Sequence, residues 1–311
     1  VIQRFRDPII APAFLGHQAG GFGVVFYVSN TTNPTEDQGS PGPTASGRSP
    51  KNPFTTIPAA TTATVANRGD VVVIQGGTYS VSDLDFNKAG VTYVAANRYG
   101  YPDKVVISGD SYVTADRVGF YGIEFFSNSA DECSMSVGLS TAGDFSEADS
   151  AWFEQCSFAS DGTSEPEYGL RLFGGNNHVV RYSRFIDNTR ALSLRSGISM
   201  LTGLVLEGNH FVENTTYDLG TGAPTSGSQP ATGDFHGIDQ GVLNLVCVDN
   251  RFAGGATPPT DFVNIVGNSS GYMSLNTFAS ATNAAATITI PAGILYAVNG
   301  TEAGWSSARP A

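Results

Sequence analysis

Val179-Val180-Arg181-Tyr182-Ser183-Arg184-Phe185 is one of five copies of a single phrase, and its reading decides the fold. A short apolar strand is followed by a small polar residue, one further residue and phenylalanine. The same order recurs as Trp152–Phe158, Val205–Phe211, Val246–Phe252 and Tyr272–Phe278. Successive phenylalanines stand 27, 26, 41 and 26 residues apart. A period in this range marks a repeat architecture, in which each unit buries its apolar face against the next. The longer step contains Gly220 to Gly233, rich in Gly, Ser, Thr and Pro, and reads as an insertion.

The repeats are β-branched and aromatic, and none sustains an apolar period of 3.6 residues over helical length. Alternate residues of a strand share a face. Counting back from each Phe, the fifth residue is Phe153, Val180, Leu206, Cys247 and Met273, and the seventh is Ala151, His178, Leu204, Leu245 and Gly271. These two columns read as the inward face. A second apolar run precedes the phrase at Leu170 to Phe173, Ala191 to Leu194 and Phe262 to Val266. Coils of about 26 residues, with two or three short strands stacked in register, form an all-β, right-handed parallel β-helix. The residue two before each Phe is Cys156, Ser183, Asn209, Asn250 or Asn276. Asn tolerates the left-handed backbone of a sharp bend, and stacked Asn side chains can bond from coil to coil. An Asn-lined ligand groove is the other reading. The Phe column reads as core stacking rather than a sugar platform.

Composition narrows the function. Among 311 residues there are 16 Lys+Arg against 28 Asp+Glu, a net charge of −12, and no basic run, which disfavours nucleic acid as a partner. No apolar run reaches transmembrane length, so no membrane partner is expected. Cys133, Cys156 and Cys247 have no metal-like spacing, and Cys247 falls in the inward column as a small apolar filler. His17, His178, His210 and His236 show no metal-binding spacing either, and phosphate-loop and nucleophile-elbow motifs are lacking. The sequence therefore implies no cofactor and no metal.

Taken in order, residues 1–22 carry Pro8, Pro12 and a glycine cluster without periodicity and read as an extended arm. Residues 23–68 comprise a strand at Gly23 to Ser29, a Pro/Gly/Ser loop, and Pro53-Phe54-Thr55-Thr56-Ile57 leading into a short helix over Ala59 to Ala66. Gly69-Asp70-Val71-Val72-Val73-Ile74-Gln75-Gly76-Gly77-Thr78-Tyr79 follows. This opening resembles that of pectate-lyase-like right-handed β-helix proteins, over roughly residues 24 to 290. The resemblance implies that the helix caps the open end of the solenoid. It also implies a kinship with tail and capsid-surface proteins of bacteriophages. The fold hosts lyases, hydrolases, adhesins and inert structural parts, so it does not fix an activity. Coils are expected over residues 69–285, with Ser127 to Glu147 as a lateral loop, and strands and a tail over residues 286–311.

For chemistry, the densest cluster is Asp234, His236 and Asp239, just after the insertion. Counting back 13 from Phe places Leu172, Ile265 and Asp239 in one column, so Asp239 reads as a buried polar exception. If the chain cleaves polysaccharide, these three are the catalytic candidates. The fourth-back column, Glu154, Arg181 and Glu207, alternates in sign and reads as an outward salt-bridge ladder. The sixth-back column is Trp152, Val179, Val205, Val246 and Tyr272, on the same outward side yet apolar throughout. Such a stripe marks an interface, unless a bend turns it inward or loops cover it. With Val1, Ile2, Phe5, Ile9, Ile10 and Phe14 of the arm, it forms the expected interface set. The leading expectation is a structural virion protein, a homotrimer decorating or cementing the capsid surface among other virion proteins. The alternative is a tail spike, or a lyase or hydrolase acting on a surface glycan.

Overall fold

A computed structural model describes residues 23–30, 46–96, 104–127, 133–140, 145–146, 148–160, 168–195, 200–214, 217–220, 241–254, 261–265, 268–280 and 287–296. The arm (1–22), the segment 221–240 and the tail (301–311) lie outside them. The chain is a parallel β-helix with three strands per coil. One ten-stranded sheet contains Val25–Val28, Val71–Ile74, Thr92–Ala95, Gly119–Tyr121, Trp152–Glu154, Val179–Arg181, Val205–Glu207, Leu245–Val248, Gly271–Ser274 and Ile294–Tyr296, in that order. Two eight-stranded sheets take the second and third strand of each coil. All the named pairings are parallel, and the repeats stack in register: Phe153, Val180, Leu206, Cys247 and Met273 form one column. Returning to the same sheet through two others is a parallel crossover, which winds right-handed.

The core is the file of inward columns. Phe125, Phe158, Phe185, Phe211, Phe252 and Phe278 stack face to face, with centroids 4.7–5.5 Å apart and planes within 16°. Each fully buried Phe contributes about 2–3 kcal/mol by area, and each stacked pair about 1 kcal/mol more. The stacking reading of this column is borne out.

Corners are fixed by left-handed residues followed by a buried polar ladder. The bend after the first sheet uses Gln155, Tyr182, Gly208, Asp249 and Leu275, with φ of 52° to 62°. The left-handed position is thus one residue ahead of the asparagine, which corrects the expectation. The asparagines form the ladder itself: Ser183 N–H donates to Asn209 Oδ1 (3.0 Å), Asn209 N–H to Asn250 Oδ1 and Asn250 N–H to Asn276 Oδ1 (both 2.9 Å). Their Nδ2 groups donate to Val180, Leu206 and Cys247 carbonyls of the preceding coil. A second ladder, Asn188 to Asn214, serves the next corner. Buried backbone groups that the bend strips of sheet partners are satisfied this way.

The N-terminal end is closed. A helix at Ile57–Ala63 starts earlier than the threonine-rich sequence suggested, because Thr56 Oγ1 accepts the Ala59 N–H and Pro58 suits the first turn. Ile57 and Ala60 join Phe26 and Val28 in the core. Phe54 and Gly47 bond the free edge of Val25–Val28 (Phe54 N–H to Tyr27 O, Tyr27 N–H to Gly47 O, both 2.8 Å). Asp70 ties the turn: it accepts from Arg68 Nε and Nη2, Val24 N–H and Val65 N–H.

One stretch departs from expectation. Within the supposed lateral loop 127–147, Cys133–Val137 is a strand of the third sheet, with Met135 and Val137 in the core. Cys133, Met135 and Val137 alternate with Ser134 and Ser136, so the period of a strand was present in the sequence but rested on only three apolar residues.

Candidate functional site

The outer face of the ten-stranded sheet carries two rows. In one, Val25, Val71, Thr92, Gly119, Trp152, Val179, Val205, Val246, Tyr272 and Leu295 follow each other in register. The predicted stripe is therefore a real column, and its inward neighbours, not it, fill the core. No bend turns it inside. Val179, Val205 and Val246 are half-buried, Tyr272 is 45% exposed and Leu295 76%. Two corner side chains flank it, Tyr182 at 49% and Leu275 at 52% exposure.

The second outer row is apolar near the N-terminus and charged in the middle. Val94 and Tyr121 pack as a small external cluster with Val71 and Trp152. Arg181 Nη2 pairs with Glu154 Oε2 at 2.8 Å while its guanidinium carbon sits 5.3 Å from the Trp152 ring centroid. Glu207 instead accepts from Tyr182 Oη at 3.1 Å. The expected alternating ladder is thus one ion pair plus a tyrosine contact. Gly208 belongs to this arrangement, because a Cβ there would come 2.6 Å from the Tyr182 ring. Tyr182 is spread over the next coil.

Two further features lie off this face. A cleft of about 610 Å³ beside the capping helix is lined by Asn30, Thr55, Thr78, Ser80, Asp83 and Lys88, among others. On the third sheet, Arg171 is buried against Tyr168. The sequence reading missed both Tyr168 and Arg171. The available signal was a lone charge between Leu170 and Leu172 in an otherwise apolar strand.

The proposed catalytic trio, Asp234, His236 and Asp239, lies outside the described residues, as do Val1, Ile2, Phe5, Ile9, Ile10 and Phe14. The third strand of that coil is Tyr217–Gly220, ahead of the insertion. The insertion therefore separates that strand from the next phrase, and the count of 13 back from Phe252 stops at Asp239, short of the strand it was meant to reach. Among the described residues, no group of three or more His, Cys, Asp or Glu side chains converges as a metal would require. Burial pushes the Cys156 and Cys247 thiols up to about 12, which suits fillers rather than nucleophiles. No helix among the described residues is long and apolar enough to cross a membrane.

No family model and no curated protein matches the sequence. Solved structures do resemble it. A rhamnogalacturonan lyase aligns over 88% of this chain at 14% identity and a TM-score of 0.45. The chain spans 66% of that lyase, just under two thirds of its length. The pectin methylesterase from Aspergillus niger aligns over 90% of both chains at 11% identity and a TM-score of 0.46. Pectate lyase Pel9A aligns over 94% of this chain and 83% of its own, at 12% identity and a TM-score of 0.43. At these values no residue role passes from those proteins to this chain.

Proposed function

We propose that this chain is a structural protein of a bacteriophage particle surface, assembling as a homotrimer through the outer face of its ten-stranded sheet. One observation carries the reading: an outward apolar column runs in register from Trp152 to Leu295 and is most exposed at Tyr272 and Leu295. A column of side chains on rungs about 4.8 Å apart is matched best by another copy with the same spacing. Association removes that apolar surface from water, worth about 25 cal/mol per Å². The placement on a phage particle rests on the resemblance carried by Pro53 to Tyr79. The arm, residues 1–22, is the proposed anchor to other virion proteins.

The test is the mass of the purified chain in solution. At 32.5 kDa per chain, a trimer is about 98 kDa (3 × 32.5). Replacing Val205 and Val246 by Lys would bring like charges together across the contact and yield a monomer with an unchanged fold. A wild-type monomer at tens of micromolar would end this reading. Deleting residues 1–22 separates anchoring from trimer formation, since only attachment to the particle depends on the arm.

A second reading is action on a surface glycan. The cleft beside the capping helix favours it, since hydroxyl, amide and carboxylate groups of the kind that line it recognise sugar hydroxyls. Incubation with acidic and neutral polysaccharides, followed by assay of new reducing ends, tests it. Cleavage lost in Asp239→Asn would restore the enzymatic candidate set.

A further inference from the structure

We infer that Arg184, His210 and Arg251, on the outer face of the second sheet, form a binding site for a phosphate dianion. The site lies across a corner from the ten-stranded sheet and does not rest on the role proposed for that face.

Register places the three side chains together. Arg184 is paired with His210, and His210 with Arg251, on the adjacent parallel strands Arg184–Ile186, His210–Val212 and Arg251–Gly254. The next residue of each strand, Phe185, Phe211 or Phe252, stacks in the core, so alternation turns the basic side chains outward. Arg184 and His210 are half-buried and Arg251 is exposed. Rungs stand about 4.8 Å apart, so three basic side chains share roughly 10 Å of one file.

Such a file is unfavourable by itself, because like charges opposite each other on neighbouring strands repel. The chain has only 16 Lys+Arg and 4 His, so three on consecutive rungs are not the spread of an abundant residue type. Other outward cations stand against carboxylates: Lys104 pairs with Glu124 and Arg181 with Glu154. Among the described residues, neither His210 nor Arg251 has a carboxylate within ion-pair distance. Arg184 and Arg251 are the charged side chains of the two strands packed against His210, and its own strand adds none. Burial lowers the His210 pKa, and the charges of Arg251 and Arg184 lower it further.

The donor set selects the ligand. Guanidinium forks grip oxyanions through paired hydrogen bonds, and the imidazole between them adds a further charge once protonated. Two fixed charges and one recruitable charge exceed what a single carboxylate neutralises. They match a phosphate monoester, which carries about −1.5 to −2 at pH 7 on three strong acceptor oxygens. Beside the file runs a half-buried apolar row, Ile186, Val212 and Ala253, also in register, on which the organic part of a monoester can lie. Thr277 continues the file beyond Arg251 with an exposed hydroxyl.

Calorimetric titration of the full chain at pH 7 and constant ionic strength tests this with phenyl phosphate, inorganic phosphate and dimethyl phosphate. Phenyl phosphate is expected to bind saturably, and the singly charged dimethyl phosphate at least about tenfold more weakly. Inorganic phosphate binding as well as phenyl phosphate supports a site that reads the dianion alone. Weaker inorganic phosphate supports a site to which the apolar row contributes. Arg251 is exposed, so Arg251→Gln keeps the fold. It should lower the affinity for phenyl phosphate at least about tenfold and, by relieving repulsion, raise the unfolding midpoint of the free chain. The His210 imidazole resonance, assigned by its loss in His210→Gln, should titrate at higher pH when phenyl phosphate is saturating, because the anion favours the protonated ring. The inference is overturned if phenyl phosphate binds no better than dimethyl phosphate. It is equally overturned if Arg251→Gln leaves the affinity unchanged, or if saturation does not move the His210 titration.

Discussion

Leu275 holds a backbone conformation that leucine adopts only at a cost. Its φ is 58°, in the left-handed region, and its side chain is 52% exposed, so burial does not repay the strain. The corresponding corners use Gly208 and Asp249, which suit the conformation better. Leu275→Asn should therefore stabilise the isolated chain by about 1 kcal/mol, read as a higher denaturant midpoint with unchanged slope. The same variant should weaken self-association, because it removes apolar surface beside Tyr272. If stability rises and association does not change, Leu275 is not part of the contact. Tyr182, at φ 52°, is the parallel case, although its hydroxyl is bonded to Glu207. A second residue-scale prediction concerns His178, fully buried with Nδ1 accepting the Ala151 N–H and Nε2 bonded to the Gly174 carbonyl. Burial lowers its pKa below 6.5, against smaller raising effects of Gly174 and Asp149. The unfolded chain therefore takes up a proton that the folded chain refuses. Stability from this group is complete above about pH 6.5 and falls as the pH drops toward the folded value. Relative to His178→Gln, the wild type should lose stability more steeply from pH 6.5 to 5. Equal slopes would show that His178 does not titrate on unfolding.

At the scale of elements, legibility followed the chemistry of each column. The phrase ending in Phe exposed the strand, its inward face and the stacked core, because alternation there is unbroken. The asparagine ladder was also legible, but the left-handed position was not. Gln155, Tyr182 and Leu275 carry no turn signature, and only the neighbouring coils impose the bend on them. The strand Cys133–Val137 carries the same alternation, but three apolar residues set among irregular neighbours are too few to mark it. The outer apolar stripe was legible as a column, whereas the packing of Arg171 on Tyr168 needed spatial knowledge. The capping helix is the element most open to test. Thr56→Ala removes the acceptor for the Ala59 N–H and should cost about 1 kcal/mol. In a solenoid that loss is felt by neighbouring coils first. Amide exchange should quicken at Val72 and Tyr93, and remain unchanged at Phe252. Uniform acceleration along the chain would mean that the coils unfold as one cooperative unit.

For the whole molecule, a stack of coils coupled only to their neighbours should tolerate removal of a complete coil, provided the new neighbours fit. Val205 is in register with Val246, so deleting residues 205–245 joins Leu204 to Val246 without shifting any column. Val180 then meets Cys247, Phe185 meets Phe252, and Asn250 follows Ser183 in the ladder. The Arg181–Glu154 pair survives, with Val248 as the new neighbour of Arg181. Deleting residues 179–204 is equally in register, since Val179 pairs with Val205. That deletion, however, removes Arg181 and sets buried Glu154 beside Glu207, an unpaired charge facing a like charge. The first shortened chain should fold, with the far-ultraviolet signature of parallel strands and a modestly lower midpoint. The second should be less stable than the first by at least about 3 kcal/mol, and Glu154→Gln should recover much of the difference. The comparison also bears on function, because the first deletion removes Asp234, His236 and Asp239 yet keeps Trp152, Val179, Tyr272 and Leu295 on one continuous face. An interface protein shortened in this way still self-associates, with one rung fewer. If the shortened chain folds but no longer associates, the insertion rather than the outer row makes the contact.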